Sequence, residues 1–571
     1  MTVQEQYDRW RLWPLEDGAL ARELEEIAGD EAEIADRFYT DLEFGTAGLR
    51  GVLGAGTNRM NIYTVRRATQ GLARYLKKNH PAPAAAIAYD SRINSELFAR
   101  EAARVFAANG VKAYLYAELM PTPALSYAVR QLGCQAGVNI TASHNPSQYN
   151  GYKAYDGDGC QIDDDIAAAV MANIRATDIF DGVKLMDYEE GLRTGQIELI
   201  GEELIQRYIG RVLEEQVNLG VCKDAGLKLV YTPLNGAGRR CVLTALSRMG
   251  VTDVTVVPQQ EYPDGNFPTC PYPNPEIYEA MELGLRLVQQ LDADLLLATD
   301  PDCDRVGAAV MEDGKPRLIS GNEMGCLLID YIARSRTANG TMPKDPVVVK
   351  SIVSTTMADA VAAQYGIQVR AVLTGFKWIG QQIARLEEAG EEDRFLLGFE
   401  ESCGYLSGGY VRDKDGVDAA VLICEMAAWY RAQGKQLGRA LDEMYARFGY
   451  YLNKVDSYTF AGGDGMRRMG GIMEDLRREP PGELAGHRVV YRADYRTGVR
   501  LQDGAETALD LPASNVLEYG VEALGSVIVR PSGTEPKLKA YYSLKAADCP
   551  GAEALWRRLK ADVEAKLGLG G

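Results

Sequence analysis

The fold is decided by a stretch that runs from residue 86 to residue 116, AIAYDSRINSELFAREAARVFAANGVKAYLY. The apolar runs Ala86–Tyr89 and Val111–Tyr116 are typical of buried strands, and the segment Glu101–Ala108 between them has a helical pattern. The same order of strand, helix and strand recurs later in Leu227–Tyr231, Arg239–Met249 and Val251–Val257. Strands that alternate with helices predict an α/β fold with parallel sheets.

The segment before this stretch, residues 15–40, is charged and has apolar residues close to helical spacing. It therefore predicts one or two amphipathic helices near the N-terminus. The apolar positions are Leu20, Leu24, Ile27, Ile34 and Phe38.

Composition and charge exclude several classes of function. The 571 residues predict about three to five domains. A net charge of −18 argues against binding to nucleic acid or to an anionic membrane surface. No signal peptide and no apolar run of membrane-spanning length occurs. The ten cysteines form no CxxC pair and there are only three histidines, which argues against disulfides and zinc sites. These features predict a cytoplasmic protein.

Four strand-like runs stop at loops rich in Ser, Asp, Glu and Gly, which is where open α/β sheets bind ligands. The first of these loops contains Thr141-Ala-Ser143-His144-Asn145-Pro146. A turn or a helix N-cap would explain a serine here. A serine hydroxyl can also carry a phosphoryl group, with His144 or Lys153 stabilising its charge.

The second loop carries three carboxylates, Asp300, Asp302 and Asp304, directly after the apolar run Leu295–Thr299. Such close carboxylates repel one another unless a cation joins them. An EF-hand is excluded because its glycine position is Arg305 and its final glutamate position is Met311. A solvated acidic turn is the alternative, but the pattern favours Mg²⁺ that also contacts a phosphate.

The remaining loops have the chemistry to bind a phosphorylated sugar. Carboxylates in the third loop, 399–402, are acceptors for sugar hydroxyls, although they would also suit the first turn of a helix. The fourth loop, 530–534, has the composition of either a phosphate nest or a capped turn. A glycine-rich turn at 44–51 contains a lone cation, Arg50. No nucleotide-binding motif is intact, which indicates a phosphoryl donor held on the protein itself.

Taken in order, these motifs resemble those of the α-D-phosphohexomutase superfamily, and within it the phosphoglucomutase branch that also contains phosphopentomutases and a glucose-1,6-bisphosphate synthase. The resemblance spans nearly the whole chain. The matching motifs are FGTAGLRG (44–51), TASHNP (141–146), NGYK (150–153), DPDCDR (300–305), TGFKWIG (374–380), GFEES (398–402), RDKDG (412–416) and RPSGTEP (530–536).

The resemblance implies an α/β fold of four domains around a central cleft. Three similar α/β domains with mixed, largely parallel sheets would be followed by a smaller C-terminal α+β domain. The implied domains are 1–200 with the phosphoserine loop, 201–320 with the metal-binding loop, 321–450 with the sugar-binding loop and 451–571 with the phosphate-binding loop.

The resemblance also implies a role for each matching residue. Ser143 would be the phosphoserine, and its phosphate would hold Mg²⁺ together with Asp300, Asp302 and Asp304. Further catalytic residues would be Arg50, His144, Lys153 and Lys414, the last as general acid or base. Substrate-binding residues would be Arg305, Thr374, Lys377, Glu400, Glu401 and Ser402. The non-reacting phosphate would be bound by Arg530, Ser532, Gly533 and Thr534.

The activity that the resemblance implies is an intramolecular phosphotransfer, of the isomerase class. Glucose 1-phosphate and glucose 6-phosphate would interconvert through phosphoserine and a glucose 1,6-bisphosphate intermediate, which would also be the activator. Phosphopentomutase, phosphomannomutase and bisphosphate-synthase activities are alternatives on the same scaffold, and a catalytically silent sugar-phosphate-binding protein is another. The expected partners are small sugar phosphates, and the sequence leaves the oligomeric state open.

Overall fold

The computed structural model describes residues 1–44, 48–312, 314–460, 465–532 and 537–569. Its backbone contacts divide the chain into two compact units, each with segments from different parts of the sequence. The first unit comprises Met1–Ser320, Ile379–Phe395 and Cys403–Gly434. The second comprises Gly321–Trp378, Leu396–Ser402 and Lys435–Gly571.

The first unit contains a six-stranded sheet in the order β1-β5-β4-β2-β3-β6. Strands β2, β3, β4 and β6 run parallel; at one edge β5 pairs antiparallel with β4, and β1 pairs antiparallel with β5. The strands are β1 (Leu49–Val52), β2 (Ala84–Tyr89), β3 (Lys112–Tyr116), β4 (Ala136–Ile140), β5 (Tyr149–Asp156) and β6 (Ile197–Ile200).

A second sheet in the same unit has five strands in the order β11-β10-β9-β7-β8. Its strands β7, β8 and β9 are parallel, and β10 and β11 extend it as antiparallel strands. The strands are β7 (Lys228–Thr232), β8 (Asp253–Val256), β9 (Leu295–Thr299), β10 (Val306–Glu312) and β11 (Lys315–Ile319).

Helices surround these two sheets. Those up to residue 291 are α1 (Val3–Leu12), α2 (Gly18–Glu26), α3 (Glu31–Phe38), α4 (Ile62–Asn79), α5 (Ser95–Ala108), α6 (Thr122–Gln131), α7 (Asp164–Arg175), α8 (Tyr188–Thr194), α9 (Glu202–Leu213), α10 (Val221–Ala225), α11 (Gly238–Met249) and α12 (Tyr278–Leu291).

The second unit contains a smaller sheet, in which β12 lies between β13 and β14, and a C-terminal antiparallel sheet. The C-terminal sheet has the order β16-β23-β22-β21-β18-β19-β20, and β17 pairs with β18. The remaining elements of the chain are α13 (Gly321–Asn339), β12 (Val347–Ser351), α14 (Met357–Gln364), β13 (Gln368–Val372), α15 (Phe376–Glu388), a 3₁₀ turn (Glu392–Arg394), β14 (Phe395–Glu400), β15 (Gly404–Leu406), α16 (Gly416–Ala432), α17 (Leu437–Phe448), β16 (Tyr450–Thr459), α18 (Gly465–Arg478), β17 (Glu483–Leu484), β18 (His487–Asp494), β19 (Val499–Gln502), β20 (Ala505–Ala508), β21 (Leu517–Val521), β22 (Gly525–Pro531), β23 (Lys537–Ala546) and α19 (Cys549–Lys566).

Helix α16 explains why a segment late in the sequence groups with the first unit. Nearly all of its side chains are buried, and it packs against α9, α10 and α11. A helix that is apolar on nearly every side is stable in water only when other elements cover it on all sides. Asp415 defines its beginning, because the Asp415 carboxylate accepts hydrogen bonds from the amides of Val417 (2.8 Å) and Asp418 (3.1 Å).

The predicted fold class is confirmed. Mixed, largely parallel sheets with helices precede a C-terminal domain rich in strands. The prediction of one or two N-terminal helices corresponds to two, α2 and α3, and the structure adds α1, which was not predicted. Among the described residues, no helix combines the length and the apolar character needed to cross a bilayer.

An aromatic cluster attaches the N-terminal helices to the first sheet domain. The Trp10 indole, 1% exposed, makes edge contacts with Phe38, Tyr63 and Phe180 at ring-centre distances of 5.9, 5.5 and 5.2 Å. Large aromatic side chains contribute much of the free energy of burial, so this cluster fixes the N-terminal helices in place.

We expect Trp10→Ala to lower the free energy of unfolding by about 3–5 kcal/mol, because it removes a fully enclosed side chain and leaves a cavity. Urea unfolding followed by far-UV circular dichroism measures this change. Leu12→Ala is the matched control, because Leu12 is 84% exposed in the same helix and its truncation should change stability by less than about 0.5 kcal/mol. Equal effects of the two substitutions would contradict the packing described here.

Candidate active site

The aspartate loop follows β9 and holds three buried carboxylates close together. One oxygen from each of Asp300, Asp302 and Asp304 lies within 4.8 Å of the others. Strand β9 is buried along its whole length, so the chain passes directly from the core into this loop. Cys303 has a left-handed backbone conformation (φ 51°), which turns the loop back towards β10. The carboxylates are thus held at a fixed point on the carboxyl edge of the sheet.

The serine loop follows β4 and meets the aspartate loop. The Ser143 hydroxyl donates a hydrogen bond to Asp300 Oδ2 at 2.9 Å, across 157 residues of sequence. Its oxygen also lies 3.1 Å from His144 Nδ1. Ser143 adopts a left-handed backbone conformation (φ 52°), and its amide donates to Thr141 Oγ1 at 2.8 Å. The structure therefore brings the predicted phosphoserine and the predicted metal ligands together.

Arg92 holds the serine loop, and the sequence reading missed it. Its buried guanidinium donates to four backbone carbonyls of that loop, those of Ser143, Asn145, Pro146 and Tyr149. Arg92 also stacks on the ring of Phe267 at 5.1 Å. The position of Asp90-Ser-Arg92 directly after β2 was the available signal, since ligand-binding loops follow parallel strands.

Two ammonium groups face the three carboxylates. Lys153 Nζ lies 2.7 Å from Asp302 Oδ2 and 3.2 Å from Asp304 Oδ2. Lys414 Nζ lies 3.3 Å from Asp304 Oδ2 and 3.0 Å from Asp413 Oδ1. The predicted catalytic lysines therefore lie within the aspartate cluster.

The carboxylates respond differently to this environment. Burial, together with the charge of Asp302, raises the pKa of Asp300 well above its usual range. Burial acts in the same direction on Asp302, but the ammonium of Lys153 outweighs it and lowers the pKa of Asp302. Asp304 also has a lowered pKa, because Lys414 and Lys153 outweigh both burial and the charge of Asp302. One carboxyl group thus tends to hold a proton while the other two stay ionised.

The donor set fits a hard divalent cation. Among the described residues, the buried oxygens Asp302 Oδ1 and Asp304 Oδ1 have no hydrogen-bond partner. Buried carboxylate oxygens without partners are costly unless a cation or donor satisfies them. Oxygen-only ligands with room for further ligands are typical of Mg²⁺ sites.

A neutral histidine and two arginines flank the serine. Burial, followed by the charges of Arg305 and Arg50, lowers the pKa of His144 well below its usual range, so its imidazole is neutral at pH 7. Arg50 lies on β1 and donates to Asn145 Oδ1 at 3.3 Å. Arg305 follows the aspartates and donates to Glu276 Oε1 at 2.6 Å. A neutral ring beside two guanidinium groups suits an anion on Ser143.

The second unit holds the predicted sugar-binding residues. Glu400 lies at the end of β14 and accepts a hydrogen bond from the Gly375 amide at 2.7 Å. Glu401 accepts from the Ser351 hydroxyl at 2.9 Å. Thr374 precedes α15, Lys377 lies in its first turn and Ser402 follows Glu401. The loop before α15 and the end of β14 are therefore neighbours.

The predicted phosphate-binding residues are only partly described. Arg530 lies on β22, and Ser532 follows that strand, its amide donating to the Lys537 carbonyl at 2.7 Å. Tyr541 lies on β23 and pairs with Ile528 of β22. Burial and the charge of Glu401 raise the pKa of Tyr541 to about 12, whereas Arg530 acts to lower it. Gly533 and Thr534 lie outside the described residues.

The predicted site residues thus fall into two groups. The first unit brings together Arg50, Ser143, His144, Lys153, Asp300, Asp302, Asp304, Arg305 and Lys414. The second unit contains Thr374, Lys377, Glu400, Glu401, Ser402, Arg530 and Ser532.

Comparison with known proteins identifies relatives along most of the chain. Models of phosphoglucomutase/phosphomannomutase alpha/beta/alpha domains I, II and III match residues 41–179, 206–314 and 320–448. A phosphoglucomutase of Staphylococcus haemolyticus is 37% identical over 89% of this chain and 91% of its own length. One of Staphylococcus aureus is 34% identical over 93% of this chain and 94% of its own length.

Solved structures show the same fold. A putative phosphomannomutase from Thermus thermophilus superposes with a TM-score of 0.68 at 23% identity, covering 93% of this chain and 99% of its own. The Paramecium phosphoprotein parafusin, described as a phosphoglucomutase, superposes with a TM-score of 0.67 at 16% identity, covering 93% and 95%. The resemblance read from the motifs is confirmed, and the chain belongs to the phosphoglucomutase/phosphomannomutase family of the α-D-phosphohexomutase superfamily.

Proposed function

We propose that this chain is a phosphoglucomutase that reversibly interconverts α-D-glucose 1-phosphate and glucose 6-phosphate. The observation that carries the proposal is the 2.9 Å hydrogen bond between the Ser143 hydroxyl and Asp300 within a cluster of three buried carboxylates. The family makes the chain an enzyme of the isomerase class, and the relatives named above are phosphoglucomutases.

In the proposed reaction, phosphorylated Ser143 donates its phosphoryl group to the free hydroxyl of a sugar monophosphate. The bond between phosphorus and Ser143 Oγ breaks as a bond to the sugar oxygen forms; the sugar hydroxyl gives up its proton, and Ser143 Oγ takes up a proton to become a hydroxyl. The product is glucose 1,6-bisphosphate, whose other phosphoryl group then returns to Ser143. Lys414, held by Asp304 and Asp413, is our candidate for moving the proton: as an ammonium it would donate to an oxygen that loses its phosphoryl group, and as the resulting amine it would accept the hydroxyl proton in the next transfer.

The surrounding residues stabilise charge during this transfer. Phosphoryl transfer depends mainly on positioning and on electrostatic stabilisation. Mg²⁺ bound by Asp300, Asp302 and Asp304 would neutralise charge on the phosphoryl oxygens. Lys153 and Arg50 add positive charge, and neutral His144 places a ring nitrogen beside the reacting oxygen.

We propose that Glu400, Glu401 and Ser402 bind the sugar hydroxyls, with Thr374 and Lys377. Arg305 is a further candidate for substrate binding. The loop that starts at Arg530 and includes Ser532, Gly533 and Thr534 would bind the non-reacting phosphate. The four domains 1–200, 201–320, 321–450 and 451–571 and the cytoplasmic location stay predictions.

Ser143→Ala should abolish turnover of glucose 1-phosphate in an assay with Mg²⁺ and trace glucose 1,6-bisphosphate, because it removes the group that carries the phosphate. Intact-mass measurement should find phosphate on the unsubstituted chain and none on the variant. Ser147→Ala, in the same loop but outside the carboxylate cluster, is the matched control and should keep both properties. Full activity of Ser143→Ala would rule out the phosphoserine mechanism.

Asp302→Asn should weaken Mg²⁺ binding and lower kcat far more than it changes stability, because it removes a ligand charge while Lys153 keeps Asp304 as an ion-pair partner. Calorimetric titration with Mg²⁺ and thermal unfolding measure the two effects. Asp253→Asn, an exposed aspartate on β8 of the same sheet, is the control. An unchanged kcat in Asp302→Asn would remove the metal assignment.

Among sugar 1-phosphates, we expect glucose 1-phosphate to have the highest kcat/KM, ahead of mannose, ribose and deoxyribose 1-phosphates. Differences in hydroxyl contacts discriminate by transition-state binding, which kcat/KM reports. A preference for mannose or a pentose would establish phosphomannomutase or phosphopentomutase activity instead. Net release of glucose 1,6-bisphosphate with 1,3-bisphosphoglycerate as donor would identify a bisphosphate synthase. Binding of these sugars without turnover would indicate a silent binding protein.

A further inference from the structure

Asp302 is oriented by two donors that both contact the same oxygen. Its Oδ2 atom accepts hydrogen bonds from Lys153 Nζ at 2.7 Å and from Thr122 Oγ1 at 2.8 Å. Its Oδ1 atom is buried and has no hydrogen-bond partner. Because Oδ2 is engaged on one side, Oδ1 is left as the oxygen available to a cation.

Thr122 is attached to Asp302 at two points. Besides the side-chain contact, the Thr122 amide donates to the Asp302 carbonyl at 2.8 Å. Thr122 is the first residue of α6, and its side chain is completely buried. A β-branched side chain has restricted rotation about χ1, so backbone and hydroxyl hold Asp302 as one rigid unit.

Asn139 sets the direction of the threonine hydroxyl. The Asn139 side-chain amide, at the end of β4, donates to Thr122 Oγ1 at 2.6 Å. Since a hydroxyl has one proton, an oxygen that accepts from Asn139 directs its own proton to Asp302. The two hydrogen bonds therefore form a chain in which Asn139 donates to Thr122 and Thr122 donates to the Asp302 carboxylate.

Lys153 is less suited than Thr122 to orient Asp302, although it carries a positive charge and Thr122 is neutral. Its ammonium is shared between Asp302 and Asp304, at 2.7 and 3.2 Å. A lysine has a flexible stem and three rotatable donors, so it follows the carboxylates more than it orients them. Thr122 contacts Asp302 alone among the three aspartates.

We propose that Thr122, aligned by Asn139, is a positioning residue that presents Asp302 Oδ1 to the divalent cation. This inference rests on the metal site in the proposed function. Partners of metal ligands fix ligand orientation, and their loss commonly weakens metal binding about 10- to 100-fold. Thr122 would act through Asp302, to which both its hydroxyl and its backbone amide donate.

The test is a titration of the full chain with Mn²⁺, followed by electron paramagnetic resonance of free Mn²⁺. Thr122→Val keeps the shape and removes the hydroxyl, so its Mn²⁺ affinity should fall about 10- to 100-fold. Thr122→Ser keeps the hydroxyl and should restore affinity to within about threefold of the original chain. Phosphorylation of Ser143 is matched between samples by intact mass.

Two further variants separate orientation from folding. Thr69→Val makes the same change at an equally buried site, where the hydroxyl donates to the Val65 carbonyl within α4, and should leave Mn²⁺ affinity unchanged. Thr122→Ala is a second hydroxyl-free variant, and thermal unfolding verifies that each variant is folded. If neither hydroxyl-free variant folds, the hydroxyl serves the fold and the proposal is overturned.

The outcomes also distinguish this inference from the proposed function. Wild-type affinity for Mn²⁺ in folded Thr122→Val or Thr122→Ala would overturn the positioning role and leave the metal site intact. Failure of the unsubstituted chain to bind Mn²⁺ would overturn the metal site itself. A loss in Thr122→Val that Thr122→Ser does not restore would also contradict the proposal.

Discussion

The mutual repulsion of three buried carboxylates is the constraint on which the site depends. Asp300, Asp302 and Asp304 lie in a region that excludes water, where like charges interact more strongly than they do in solvent. Lys153 and Lys414 offset part of this repulsion, and a proton on one carboxyl group offsets more. A divalent cation would relieve the remainder, so the repulsion that is costly for folding would also favour a metal in this loop.

The backbone of the aspartate loop is fixed from three directions, and each contact comes from the beginning of a helix. Three amides donate to the carbonyls of three successive loop residues. They belong to Thr122 at α6 (2.8 Å), Ala237 just before α11 (2.7 Å) and Gly416 at α16 (3.1 Å). Helix N-terminal amides carry partial positive charge, which suits an anionic loop. This arrangement explains why α16, distant in sequence, belongs to the first unit.

The sequence was sufficient to predict the residues whose chemistry is local. Ser143 and Asp300 follow apolar strands, and open α/β sheets place ligands at such ends, so both were predicted as site residues, and the structure places Ser143 Oγ 2.9 Å from Asp300 Oδ2. Arg92 was missed because its role depends on carbonyl groups of a loop more than fifty residues away. Helix α1 was missed although its sequence carries local signals, a Thr2–Glu5 capping box and the buried side chains of Tyr7 and Trp10 at helical spacing. The position of Arg92 after β2 marked it as a candidate, but only the fold shows which carbonyl groups it contacts.

The most direct test of the account is anomalous diffraction from crystals of the chain soaked in Mn²⁺. The account predicts one strong peak within about 2.0–2.3 Å of an oxygen from each of Asp300, Asp302 and Asp304, with Ser143 or its phosphate adjacent. Two results would contradict the central claim that this buried cluster holds a cation beside the reacting serine. One is the absence of a peak at the cluster in a crystal where Mn²⁺ is bound elsewhere, and the other is a peak coordinated only by other residues.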